Sequence, residues 1–304
     1  MSDPGICRLC GRRADLQESH IIPKFVSDHQ KSTSATGFLR TSEAVNRRVQ
    51  DGLKLPLLCR DCEGLLNQWE TLFAAQIYHP WSRREAKTFD YGPWLLKFAV
   101  SVSWRALTWY IMDFSRGRRK YTDNARDLVE NALTAWKDFL LGARPHPGRF
   151  QQHMLLFDAI EATDKPGSLP TNINRFLTRG SGINMELRET RPTFIYTKMG
   201  KIMLLGFLGI KHPRAWLGTQ IHVKHGSIGG NVSVPDEFFD HLKERARIMH
   251  TEYNAMSEKQ KAVILKTVHR DPDRAASSET FEMMQRDVGM FGEDAVFPKD
   301  EEGQ

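Results

Sequence analysis

An α+β chain is expected from three observations: two Cys-x-x-Cys pairs near the N-terminus, long runs with helical period, and a block of short alternating segments. All four cysteines lie early in the 304-residue chain, as "CRLC" (Cys7, Cys10) and "CRDC" (Cys59, Cys62). The pairs stand farther apart in sequence than in most zinc ribbons, but two such pairs suit one tetrahedral Zn²⁺ in a closed structural site, with redox dithiols or plain buried cysteines as the alternatives. No charged, apolar and small-residue leader opens the chain, so a reducing, cytoplasmic setting is expected, where disulfides are disfavoured. By pattern the chain divides into a zinc-braced domain over 1–84, an α+β region over 85–269 and an acidic, disordered tail over 270–304.

Each element follows from its local pattern. After the first knuckle, "ADLQESHIIPKF" reads as a strand running to Pro23, and "TGFLRTSE" (36–43) as a second extended stretch. "NRRVQDGLKLPLLC" returns the chain to the second knuckle. Beyond Cys62, Leu66, Trp69, Phe73 and Ile77 recur at spacings of three and four, which makes a helix with one apolar stripe. Glu63, Asn67 and Glu70 fall on a different stripe, and Pro80 is expected to stop the helix. Helices over 93–114 and 122–141 flank the basic "SRGRRK". The first is interrupted by Lys97, Arg105 and Asp113, which suits a buried helix rather than a membrane span. Trp94, Trp104, Trp109 and Trp136 are spaced for helix packing.

"HMLLFDAIEA", "INMELRE", "TFIYTKM", "KIMLLGFLGI", "TQIHVKHG" and "GNVSV" then read as strands of an antiparallel sheet, with turns at "MGK" and "GSIGG". Pro235 opens one helix and Ser257 caps another. His222, His225, His241 and His250 are not read as a second metal site, because His241 and His250 are nine apart on a helix and do not share its face.

Charge is unevenly spread. The net is +6, but residues 270–304 carry four Lys/Arg against ten Asp/Glu, which leaves +12 in residues 1–269. A basic body suits a polyanion partner.

The order of strand with "HIIP", return segment, "LLCRDC" and a helix with polar residues at i and i+4 resembles the ββα-metal finger of HNH endonucleases, over about residues 5–80. In zinc-supported members of that family two CxxC knuckles brace the finger. The resemblance implies that His20 is the general base, and that Ser19, Glu63 and Asn67 occupy the positions of divalent-metal ligands. Zinc would then be structural, and Mg²⁺ or Mn²⁺ catalytic. The family usually carries Asp or His where Ser19 stands and often His where Glu63 stands, so Ser19 is a weak ligand. The resemblance also implies a distorted strand end that brings Ser19 and His20 into one site.

DNA is the implied substrate, with Lys24, Arg47, Arg48 and Lys54 as candidate phosphate contacts. Some HNH proteins serve as effectors in bacterial defence against phage and plasmids, and residues 85–269 would then sense a ligand or a partner protein. Two other readings stay open: a zinc finger that binds nucleic acid, or acts as an adaptor, without cutting it, and a structural module. Glu18, Glu70, His29 and His79 receive no role.

Overall fold

The computed structural model describes residues 4–41, 44–113, 123–163, 166–188, 191–210 and 212–297. Its class is mixed α+β, with every strand pair antiparallel. In chain order the first elements are β1 (Gly5–Ile6), β2 (Arg13–Ala14), β3 (Leu16–His20), α1 (Lys24–Ser32), β4 (Lys54–Cys59) and α2 (Arg60–Phe73). A π-helical turn (Ala74–Tyr78) leads into α3 (His79–Ser82), followed by β5 (Thr88–Tyr91), α4 (Trp94–Asp113) and α5 (Asp123–Leu140). Next come β6 (Gln152–Leu156), α6 (Ile173–Arg179), β7 (Ser181–Arg188), β8 (Arg191–Met199), β9 (Ile202–Phe207) and β10 (Gly226–Gly229). The chain closes with α7 (Asp236–Asn254), α8 (Glu258–Arg270), α9 (Pro272–Ala276), α10 (Glu279–Phe291) and α11 (Glu293–Val296).

Two compact units interleave along the sequence. The first comprises residues 1–24, 52–156 and 181–234, and the second 25–51, 157–180 and 235–304. This division does not follow the expected cut at 84/85. The reason lies in α4, whose Phe98 stacks on Phe73 at 3.9 Å between ring centroids. The helix after the second knuckle therefore shares its core with α4, on the far side of that cut.

Within the first unit, a four-stranded sheet in the order β6-β9-β8-β7 is covered by α4 and α5. Every residue of β9 is buried, as are Trp104 and Trp136, so these indoles pack the core as their spacing predicts. Gly206 is required there: a Cβ would come within 2.8 Å of both Ser103 and Trp136. α4 is the most apolar of the long helices, yet among the described residues no helix is long and apolar enough to cross a membrane.

Several segments depart from expectation. "GSIGG" is not a turn: residues 226–229 pair with β5, which pattern reading missed. In "TQIHVKHG" Gln220 forms an isolated bridge to His153 and only the final Gly226 enters a strand, β10, while "GNVSV" forms no strand. The stretch at 36–43 contributes a single bridge, Leu39 to Val49, and residues 42–43 lie outside the described ones. Pro80 does not stop the helix. It sits in the first turn of α3, where its missing N–H is not needed, and the π turn supplies the change of hydrogen bonding ahead of it.

The second unit is helical, and its C-terminal part is not the disordered tail that composition suggested. Residues 272–296 form α9, α10 and α11. Ser278 caps α10 through Phe281 N, and Met283 and Val296 are buried. Asp287, with no exposure, accepts from the backbone N–H groups of Asn174 at 2.9 Å and Arg175 at 3.4 Å, and from Arg175 Nε at 2.9 Å. Acidic residues thus serve as anchors for α6, which a mean over composition conceals. Residues 298–304 lie outside the described ones. Ser257 caps α8 as expected, accepting from Gln260 N.

Candidate metal centre and adjoining groove

The thiols of Cys7, Cys10, Cys59 and Cys62 all lie within 4.8 Å of one another. Two turns bring them together. The first knuckle sits in the β1–β2 hairpin, where Cys7 N donates to Arg12 O and Gly11 N to Cys7 O, with Gly11 at a φ of 77°. The second spans the end of β4 and the first turn of α2, which starts at Arg60, so Cys62 is already helical.

Cys10 Sγ and Cys59 Sγ are 3.8 Å apart. Four sulfurs about 2.3 Å from one zinc ion stand roughly 3.8 Å apart along a tetrahedral edge; the Cys10–Cys59 pair has that spacing, and the set as a whole is close enough to hold one such ion. No disulfide joins any of the four.

Arg12 tunes the cluster. Its Nε donates to Cys10 Sγ at 3.5 Å, and its Nη2 pairs with Asp61 at 2.7 Å. Burial opposes ionisation of Cys10, but the hydrogen bonds with Arg12, Cys7 and Cys62 together outweigh it and bring the thiol down to about 6. Burial, then the bonds with Cys59 and Cys10, push the Cys62 thiol up. Among the described residues, the four cysteines are the group of His, Cys, Asp and Glu side chains close enough to share an ion.

β3 and β4 run antiparallel beside this cluster, with His20 opposite Lys54 and a register shift between Gln17 and Glu18. Past the shift, Ser19 is wholly buried and its Oγ donates to Glu63 Oε2 on α2 at 2.7 Å. Two predicted positions, 19 and 63, are therefore in contact. Glu63, Asn67 and Glu70 line an open groove along α2 together with Gln17, Arg60 and Gly64. Ser19 and His20 are not among its lining residues.

His20 is half-buried, and its carbonyl accepts from Arg105 Nη1 at 2.8 Å. The same guanidinium donates through Nη2 to Glu70 Oε1 at 2.5 Å. The pairing of Arg105 with Glu70, a residue the sequence leaves unassigned between the site's surroundings and solvent, is what sequence reading missed. The available signal was a charged residue within an apolar helix, which by itself argues only against a membrane span.

The predicted phosphate contacts divide between the units. Lys24 is exposed at the start of α1 and Lys54 pairs opposite His20, both in the first unit. Arg47 and Arg48 belong to the second unit, with Arg48 stacked 4.3 Å above the Phe38 ring. No single unit gathers all four. Glu18 is exposed on β3, and His79 stacks edge-on against Tyr78. His29 has an acidic partner, its Nε2 lying 3.3 Å from Glu279 Oε1.

Comparison of the chain with protein-family models, with curated proteins and with solved structures finds no match in any of the three.

Proposed function

We propose that this protein is a metal-dependent, HNH-type endonuclease that hydrolyses DNA phosphodiester bonds, with the four-cysteine cluster holding a structural zinc ion. The observation that carries the reading is the contact of Ser19 with Glu63 at 2.7 Å beside that cluster. Two adjacent oxygen ligands of an octahedral Mg²⁺ at 2.0–2.1 Å stand roughly 2.9 Å apart. The Ser19 hydroxyl and the Glu63 carboxylate, 2.7 Å apart through a hydrogen bond, stand a few tenths of an ångström from that spacing, and Asn67 follows one turn along the same face. These three residues would hold Mg²⁺ or Mn²⁺, which supplies charge neutralisation at the scissile phosphate and at the departing oxygen.

The remaining work falls to the chain. The His20 imidazole would accept the proton of the attacking water. Lys24 and Lys54 hold flanking phosphates, and the basic body raises the local concentration of DNA.

One observation favours a second reading, a finger that binds nucleic acid without cutting it. The buried Ser19 hydroxyl spends its proton on Glu63, which occupies an oxygen that a metal would need.

Supercoiled plasmid incubated with Mg²⁺, Mn²⁺ or EDTA separates the two. Nicking that needs the added ion and is lost in His20→Ala and Glu63→Gln, with zinc content unchanged, supports the nuclease. Salt-sensitive binding with no cleavage in either ion supports the second reading.

A further inference from the structure

We infer that Arg105, on α4, is a positioning residue that fixes the His20 end of β3 against Glu70 of the groove. The consequence for catalysis rests on the nuclease reading, whereas the positioning itself does not.

Arg105 is only 1% exposed. A guanidinium withdrawn from water is tolerated where its donors are met, and here they are divided among three acceptors on three elements. Nη1 bonds the His20 carbonyl at 2.8 Å, Nη2 the Glu70 carboxylate at 2.5 Å, and Nε the Ser101 carbonyl at 3.3 Å within α4 itself. The planar fork has no freedom to serve one acceptor without setting the direction of the next.

The peptide between His20 and Ile21 is held from its other side as well, because Ile21 N donates to Leu53 O at 3.0 Å. With both its carbonyl and its N–H engaged, this peptide plane is fixed, and together with the pairing of His20 with Lys54 in the strand it constrains the Cα–Cβ direction of His20. The anchor is firm: α4 also holds Ser103 Oγ to Gln152 Oε1 at 2.7 Å and stacks Phe98 on Phe73. Arg105 thus joins a strand end to a groove that the His20 ring does not line. A group 85 residues from His20 in sequence sets the relation between the two parts of the site.

The competing account makes Arg105 a docking contact between α4 and α2 and nothing more. The two accounts differ in what happens at His20 once the fold is intact. Arg105→Lys keeps a positive charge opposite Glu70, but a single ammonium does not reproduce the fork. The double variant Arg105→Met with Glu70→Met removes the pair together, leaves no unpaired buried charge, and decides the matter if the single variant fails to fold.

The zinc-loaded, ¹⁵N-labelled protein is compared with both variants by NMR. The Ile21 amide, which senses hydrogen bonding at the preceding carbonyl, and the His20 ring are expected to shift in each, with zinc content unchanged. In plasmid nicking with saturating Mn²⁺, kcat is expected to fall about 10- to 100-fold with KM little changed, part of the roughly 10²–10⁴-fold that a well-positioned general base contributes. Ile21 and His20 resonances at their wild-type positions in both variants would overturn the inference, as would a wild-type kcat in Arg105→Lys. Resonances that move in a protein whose wild type cuts no DNA would sink the nuclease reading and leave the positioning role standing.

Discussion

Around the four cysteines, two short strand pairs and one helix end are gathered by sulfur, with Leu9, Leu57 and Leu58 as the buried apolar groups nearby in sequence. In the second unit buried ion pairs add to an apolar core that includes Phe176, Leu177, Leu242 and Met283. Arg179 of α6 donates to Thr33 Oγ1 at 2.6 Å and to Gln30 O at 2.8 Å, and pairs with Glu279 at 3.0 Å, while Asp287 holds the start of α6. The two solutions respond to different conditions. A thiol cluster depends on an exchangeable ion, whereas buried carboxylates depend on pH and on every partner being present.

The largest effect should come from removing metal. Zinc-finger peptides draw about 10–16 kcal/mol from their ion, so chelation is expected to strip amide-exchange protection from residues 5–20 and 54–62. Protection in α7 and α10 should remain. Loss spread evenly over both units would erase the distinction.

Asp287→Ala is the matching insult to the second unit. Leaving Arg175 and two backbone donors without their acceptor should cost about 3–5 kcal/mol, read as a shift of the urea midpoint and as early exchange in α6 and α10. A cost below about 1 kcal/mol would mean that charge is not what holds these helices.

Acid sharpens the contrast through His153. Burial, aided by the nearby His222, holds its imidazole down to about 4 from an ordinary 6.5, and its Nδ1 lies 2.7 Å from Thr219 Oγ1. The unfolded chain takes up a proton through this range that the folded sheet refuses. Stability is therefore full above pH 6.5 and falls by up to about 3 kcal/mol as pH drops toward 4. Burial raises Asp287 instead, so its native form is the readier proton binder and that group favours folding as pH falls through its titration. Exchange followed from pH 7 to 4 should show β6 and β9 weakening first, and His153→Gln should remove this part of the slope.

Gly206→Ala carries the smallest effect. Its methyl would press on Ser103 and Trp136, at about 1–3 kcal/mol, visible in thermal unfolding.

Legibility from sequence tracked the range of the interaction. The cysteine pairs, the stripe Leu66–Trp69–Phe73–Ile77, the helices at 94–113 and 123–140 and the strands β6 to β9 are written in local spacing, and they are readable there. The pairing of "TFDY" (88–91) with "GSIG" (226–229) joins segments far apart in sequence and has no local signature. Pro80 misled because the π turn before it changes the hydrogen-bond pattern that the stop rule assumes. The acidic tail misled because Asp287 and Glu279 have partners at Asn174, Arg175 and Arg179, far upstream. At the candidate site, motif order brings positions 19 and 63 together, and their side chains do touch. The link through Arg105 rests on tertiary contact alone.

The interleaving of the units sets a timetable for synthesis. All four thiols have been made once Cys62 is joined, so the sulfur cluster is the first centre the growing chain can complete. Residues 25–51, inserted between β3 and β4, belong to a unit whose last anchors are Glu279 and Asp287, near the other end of the chain. At about 5–20 residues per second that interval lasts on the order of 10 to 50 s. Through it the segment leaving His20 waits for its packing partners, and the pace of the ribosome determines when that segment is finished.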